Sequence, residues 1–130
     1  MSVGRGSRIA RLTAALGVAA SLTLAVAGCA PASAPSSIAV SADTVIVDVR
    51  TPAEFASGHL EGAINIDVRA ADFDAQVDAL DRDAEYLVYC RSGNRAGSAI
   101  DRMAAMGFTT LENGGGVEQA AQATGLDIVG

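Results

Sequence analysis

From residue 43 onward, short apolar runs alternate with helical spacings. Val45-Ile46-Val47 is a continuous β-branched run, the pattern of a strand buried on both faces. Thr51-Pro52-Ala53-Glu54 then predicts a helix start. Thr51 serves as N-cap, Pro52 fits the first turn, Glu54 is spaced to close a capping box, and Gly58 ends the helix. Ala63 to Ile66 reads as a second strand, and Phe73, Val77 and Leu80 at i, i+4 and i+7 predict a second helix behind Asp72 as cap. Tyr86 to Tyr89 is a third strand. Ala96, Ala99, Ile100 and Met103 form one apolar face of a third helix, closed by Gly107. Thr109 to Leu111 and Val117 to Thr124 supply a last strand and a last helix. This alternation predicts an α/β fold, a small parallel β-sheet flanked by helices on both faces, in a single domain.

The N-terminal pattern is different. Arg5, Arg8 and Arg11 precede an uncharged run from Leu12 to Ala27, which ends in small residues before Gly28-Cys29. A basic start, an apolar stretch and a small-residue site have the order of a secretory signal. Sixteen residues broken by Gly17 and Ser21 are short for spanning ~30 Å of hydrocarbon. Simple cleavage after Ala27 is one reading. Val26-Ala27-Gly28-Cys29 also resembles the lipobox of bacterial lipoproteins, which implies lipidation of Cys29 and a membrane anchor there. The expected organisation is a signal peptide over 1–28, the lipidated Cys and a flexible tether over 29–42, rich in Ala, Ser and Pro, and a folded domain over 43–130. The expected location is exported, lipid-anchored to the bacterial cell membrane or the periplasm-facing envelope.

Composition then removes whole classes of chemistry. The 130 residues include no lysine, one histidine and two cysteines. Without lysine there is no Walker-type phosphate loop and no Schiff-base catalysis. One His and two Cys do not make an ordinary four-ligand zinc site, so no metal is expected. All fifteen acids lie beyond residue 28 and face six arginines there, a formal charge of −9 that disfavours nucleic acid as a partner.

The candidate chemistry sits in Tyr89-Cys90-Arg91-Ser92-Gly93-Asn94-Arg95, between a buried strand and a helix start. Ligands of open α/β sheets gather at the carboxyl ends of strands, where Cys90 falls. A loop curling over a helix N-terminus aims backbone N–H groups inward and makes an anion cradle, to which Arg91 and Arg95 add charge. A thiol there is expected to have a lowered pKa. The same residue also reads as a small apolar cysteine that merely ends a strand.

Three ordered motifs carry a family resemblance. Val47-Asp48-Val49-Arg50-Thr51-Pro52-Ala53-Glu54-Phe55, Gly58-His59-Leu60-Glu61-Gly62-Ala63-Ile64-Asn65 and Cys90-Arg91-Ser92-Gly93-Asn94-Arg95-Ala96, followed by Gly114-Gly115-Gly116, resemble a single-domain rhodanese. The resemblance covers the chain from Asp43 onward. It implies a sulfurtransferase that moves a sulfane sulfur from thiosulfate or a similar donor, through a Cys90 persulfide, to a thiol or cyanide acceptor. Cys90 is then the catalytic residue, and Arg91, Ser92, Gly93, Asn94 and Arg95 bind the donor. No cofactor is implied, and a monomer is expected. Related phosphatases and arsenate reductases place five residues between Cys and Arg; here four separate Cys90 from Arg95, a cradle suited to a single sulfur atom.

Two other classes remain open at this point. One is a non-catalytic rhodanese-like module that binds a partner or delivers sulfur at the cell envelope, although such modules usually lack the loop cysteine. The other is a redox protein, against which a lipidated Cys29 would leave Cys90 without an internal disulfide partner. His59 is expected to be structural, as the matching histidine is in the family. Asp48 and Arg50 are expected to form a supporting ion pair near the site, and Arg50 is also spaced to pair with Glu54. The Asp-rich stretch from Asp67 to Asp83 reads as a solvated face.

Overall fold

The computed structural model describes residues 36–130. The expected signal segment, Cys29 and the first part of the tether lie outside the described residues. The elements run β1 (Val45–Asp48), α1 (Pro52–Ala56), β2 (His59–Leu60), β3 (Ile64–Asn65), α2 (Phe73–Asp78), β4 (Glu85–Cys90), α3 (Asn94–Ala105), β5 (Thr110–Gly116), α4 (Val117–Thr124) and β6 (Ile128–Val129). Four strands form a parallel sheet in the order β3-β1-β4-β5, as the alternation of elements predicts.

Alternation along β4 builds the two halves of the core. Tyr86, Val88 and Cys90 face one side, where Phe73 and Val77 of α2 and Ala96, Ala99 and Met103 of α3 pack on them. Leu87 and Tyr89 face the other, with Ile46, Leu60 and Ala120 of α4. Burial of each large apolar side chain here contributes about 1.5–3 kcal/mol, so these two layers hold the sheet.

Several expectations change on contact with the fold. Residues 36–42, expected to be free tether, carry Ile38 and Val40 onto the second core layer, and the Ile38 N–H donates to the Ala123 carbonyl at 2.9 Å. Ile38 and Val40 are the two large apolar residues in a stretch otherwise of Ser and Ala, and both pack on the layer that includes Ala120 of α4. Asp72 occupies the N-cap of α2 but makes no side-chain cap bond, because its backbone (φ −98°, ψ 12°) is not in the extended form a cap needs. β5 runs on through Asn113 and three glycines instead of ending at Leu111; pairing with β4, buried from Tyr86 to Cys90, overrides their poor strand propensity. His59–Leu60 and Ile128–Val129 form an antiparallel ribbon that no local pattern announces.

One irregularity places the site. The β4–β5 register shifts between Val88 and Tyr89, so that Asn113 faces Val88 but Gly115 faces Tyr89 and Gly116 faces Cys90. The bulge brings the glycine run beside the loop that follows β4.

Candidate active site

Cys90 ends β4 with no solvent exposure of its own, and the loop Arg91–Gly93 folds over it into α3. Its flank packs in the apolar core, while Sγ accepts the Gly93 N–H at 2.9 Å. Burial pushes the thiol up, but the backbone N–H groups of Ala96, Ser92, Gly93 and Arg95 together outweigh it and hold the thiol below its ordinary value. The two sequence readings of Cys90 therefore describe two sides of one residue: an apolar strand end beneath, a sulfur facing converging N–H dipoles above.

The loop needs two glycines for geometric reasons. Gly93 caps α3 at φ +94°, and a Cβ there would meet the Gly115 Cα at 3.3 Å. A Cβ on Gly116 would stand 2.5 Å from the Arg91 carbonyl oxygen, so β5 can press against the loop only without a side chain. Asn113 ties the two together, accepting the Gly115 N–H at 2.8 Å and donating Nδ2 to the Gly93 carbonyl at 3.3 Å. Gln119 accepts the Gly116 N–H at 2.9 Å and fixes the start of α4.

The arginines divide their work differently from the expectation that Arg91 and Arg95 both face the donor. Arg95 is committed to Glu54 by two parallel bonds of 2.8 Å, Nη1 to Oε2 and Nη2 to Oε1. Glu54 also accepts the N–H and hydroxyl of Thr51 at 3.0 Å, completing the capping box of α1. Arg95 thus clasps the loop to α1, and its charge is balanced. Arg91 is exposed and makes no ion pair among the described residues.

The Arg95 guanidinium holds the Glu54 carboxyl far below the usual carboxylate range. A lowered folded-state value means that ionised Glu54 stabilises the fold above the ordinary range, and that this contribution fades as pH falls toward the folded value. Replacing Glu54 by Gln is expected to cost about 1–2 kcal/mol at pH 7, from the clasp and the cap together. Urea midpoints of E54Q and the parent chain should differ at pH 7, and the gap should begin to narrow only once pH falls below the ordinary carboxylate range, continuing to shrink toward the much lower folded value; a constant gap throughout would contradict the clasp.

Asp48 and Arg50 do form a buried ion pair. Arg50 Nε lies 3.0 Å from both Asp48 oxygens and Nη2 lies 2.6 Å from Oδ2. Nη2 also donates to the Gly58 carbonyl at 2.6 Å, and the guanidinium lies 5.8 Å from the Tyr89 ring centroid. The expected Arg50–Glu54 pairing is not made, because each partner has a better-aligned one: Asp48 for Arg50, Arg95 for Glu54. Asn65 Nδ2 clamps the turn after β1 by donating to the carbonyls of Asp48 and Arg50 at 3.0 and 2.9 Å. Sequence reasoning passed over Asn65, though a lone polar residue in an otherwise apolar strand was its signal. His59 stacks on Phe55 with ring centroids 3.7 Å apart and donates Nδ1–H to the Phe55 carbonyl at 2.9 Å, so it braces α1.

A cavity of about 620 Å³ opens on the outer side of the loop, lined by Thr51, Glu54, Arg69, Arg91, Ser92, Asn94 and Arg95. Sequence reasoning did not single out Arg69. Among the described residues no His, Cys, Asp and Glu cluster could hold a metal ion, and no helix is long and apolar enough to cross a membrane.

The Rhodanese-like domain family matches residues 37–122. The chain is similar to the thiosulfate sulfurtransferase PspE of Escherichia coli, 33% identical over 75 residues that cover 58% of this chain and 72% of that protein. It is also similar to the thiosulfate sulfurtransferase GlpE of Pseudomonas fluorescens, 38% identical over 68 residues, 52% of this chain and 60% of that one. A solved rhodanese with anions from E. coli superposes with a TM-score of 0.56 at 29% identity, covering 66% of this chain and 96% of its own.

Proposed function

Because the chain belongs to the rhodanese-like domain family, we propose that it is a sulfurtransferase in which Cys90 carries a sulfane sulfur from a thiosulfate-type donor to a thiol or cyanide acceptor. The observation that carries this reading is the Cys90 sulfur held 2.9 Å from the Gly93 N–H, with further amides converging on it. The Cys90 thiolate attacks the outer sulfur of thiosulfate. A sulfur–sulfur bond forms to Sγ, the bond inside thiosulfate breaks, and its electron pair leaves on sulfite. The leaving group departs as an anion and needs no general acid, consistent with a site whose only histidine is engaged with Phe55. The terminal persulfide sulfur, also anionic, rests among the same N–H groups that stabilise charge during the attack. An acceptor thiolate or cyanide then takes that sulfur and returns the Cys90 thiolate, a two-step covalent cycle that implies ping-pong kinetics.

We further propose that Cys29 is lipidated and anchors the domain to the bacterial cell membrane or the periplasm-facing envelope, on the basis of Val26-Ala27-Gly28-Cys29 after an uncharged run. One measurement addresses both proposals: the intact mass of the chain extracted from membranes, reduced, then treated with thiosulfate. The expected result is an acylated chain beginning at Cys29 that gains one sulfur atom and loses it to cyanide. A reduced chain that takes up no sulfur would favour a non-catalytic sulfur-delivery or binding module, and an unacylated one would favour simple secretion.

A further inference from the structure

The loop was expected to present two arginines to an anionic donor, yet Arg95 is spent on Glu54 through two 2.8 Å bonds. The positive charges left in the mouth are Arg91, on the loop, and Arg69, which arrives from the connection between β3 and α2. Both are exposed, and neither has a carboxylate within ion-pair distance among the described residues. Glu54, the one acid lining the mouth, is neutralised by Arg95 and by two bonds from Thr51.

The backbone under Arg69 is built rather than loose. The Asp67 carboxylate accepts the Arg69 N–H at 2.9 Å, and the Ala70 N–H closes the turn onto the Asp67 carbonyl at 3.0 Å. Val68, just before it, is buried in the core. Its carbonyl accepts Arg102 Nη1 at 3.0 Å, and its N–H is held by the Val49 carbonyl at 3.2 Å. A mouth of about 620 Å³ is roomy for an ion of a few atoms, so shape cannot select it. Charge placement can.

We infer that Arg69 is a specificity-determining residue, which with Arg91 grips the distal oxyanion end of a small dianionic sulfur donor while its outer sulfur is directed into the loop. The assignment rests on reading the loop as a sulfur-transfer site, but it predicts binding that does not require transfer. Two guanidinium groups from separate elements match a dianion better than a monoanion, because two negative charges balance both cations whereas a single charge leaves one of them uncompensated.

The test is thiosulfate binding by calorimetry to the full chain carrying Cys90→Ser, where no sulfur can move. Adding Arg69→Gln is expected to weaken binding about tenfold at low salt, and Arg69→Lys by no more than about threefold. The Arg69→Gln deficit should shrink as salt rises. Arg82 is the control: it pairs with Asp78 and bonds Met106 at the far end of α3, so Arg82→Gln removes an equal charge and should change binding less than twofold. Absent binding in the Cys90→Ser parent, unchanged affinity in Arg69→Gln, or an equal loss in Arg82→Gln would each overturn the assignment. Failure of sulfur uptake by the parent chain, with the Arg69 dependence of binding intact, would instead overturn the proposed activity and leave the anion site standing.

Discussion

Cys90→Ser is expected to lower the steady-state rate of sulfur transfer by more than about a thousandfold, the scale on which losing a covalent nucleophile acts. The exchange is close to isosteric, and a serine oxygen can accept the Gly93 N–H that Sγ accepts at 2.9 Å. Folding stability should therefore change by no more than about 1 kcal/mol. Activity falls because four amides can bring a thiol into the accessible range but cannot ionise a hydroxyl, and oxygen does not form the persulfide. The companion measurement is the pH dependence of Cys90 alkylation. With the thiol held below its ordinary value, the rate should reach half its plateau at a lower pH than an exposed cysteine does. Iodoacetamide and a slow pH series suffice. A half-rise at or above the value of a free thiol would mean that burial beats the amides, and the nucleophile assignment would fall with it.

Arg50→Met is expected to destabilise the domain by about 3–5 kcal/mol, because it leaves the Asp48 carboxylate without its cation at a position with 0% exposure. For a domain of this size that is a drop in Tm of very roughly 15–30 °C. The loss has a specific anatomy: the guanidinium satisfies both Asp48 oxygens and the Gly58 carbonyl, and Asp48 sits fully buried on an interior strand of the sheet. Combining Asp48→Asn with Arg50→Met should recover part of the loss, since the uncompensated charge disappears while the Asn oxygen can keep the residue-50 N–H bond that Asp48 Oδ1 makes at 2.9 Å. Chemical denaturation of the three chains reads this directly. A single-variant loss under about 1 kcal/mol, or a double variant worse than the single, would show the pair to be dispensable.

Much of the fold is written in local pattern. Ile46 and Val47 are buried on β1 with Val45 half-buried beside them, Thr51 and Glu54 make the capping box that their spacing predicts, and Ala96, Ala99 and Met103 form the buried face of α3. The bounds of α4 match the expected Val117 to Thr124. Each of these depends on neighbours within one turn or one strand. What failed is equally specific. Asp72 has the residue type of a cap without the backbone, and the two-residue strands β2 and β6 pair residues 68 and 70 positions apart in the chain, with only Leu60 buried between them. So short a pairing leaves no periodicity to read.

At the site the same division holds. The strand-to-helix junction, Cys90 on its floor and the Gly93 turn are contiguous, so sequence by itself determined which groups meet there: a thiol, a helix N-terminus and the backbone N–H groups of the loop between them. Which charges face the substrate was decided only by the tertiary structure. Arg95 finds Glu54 at a separation of 41 residues, Gly116 makes room for the Arg91 carbonyl, and Arg69 enters the mouth from another connection. A nucleophile's electronic environment is set by the nearest few amides of its own chain segment, whereas an arginine's role is set by the carboxylate it happens to meet. That meeting is a property of how segments pack, and no local pattern encodes it.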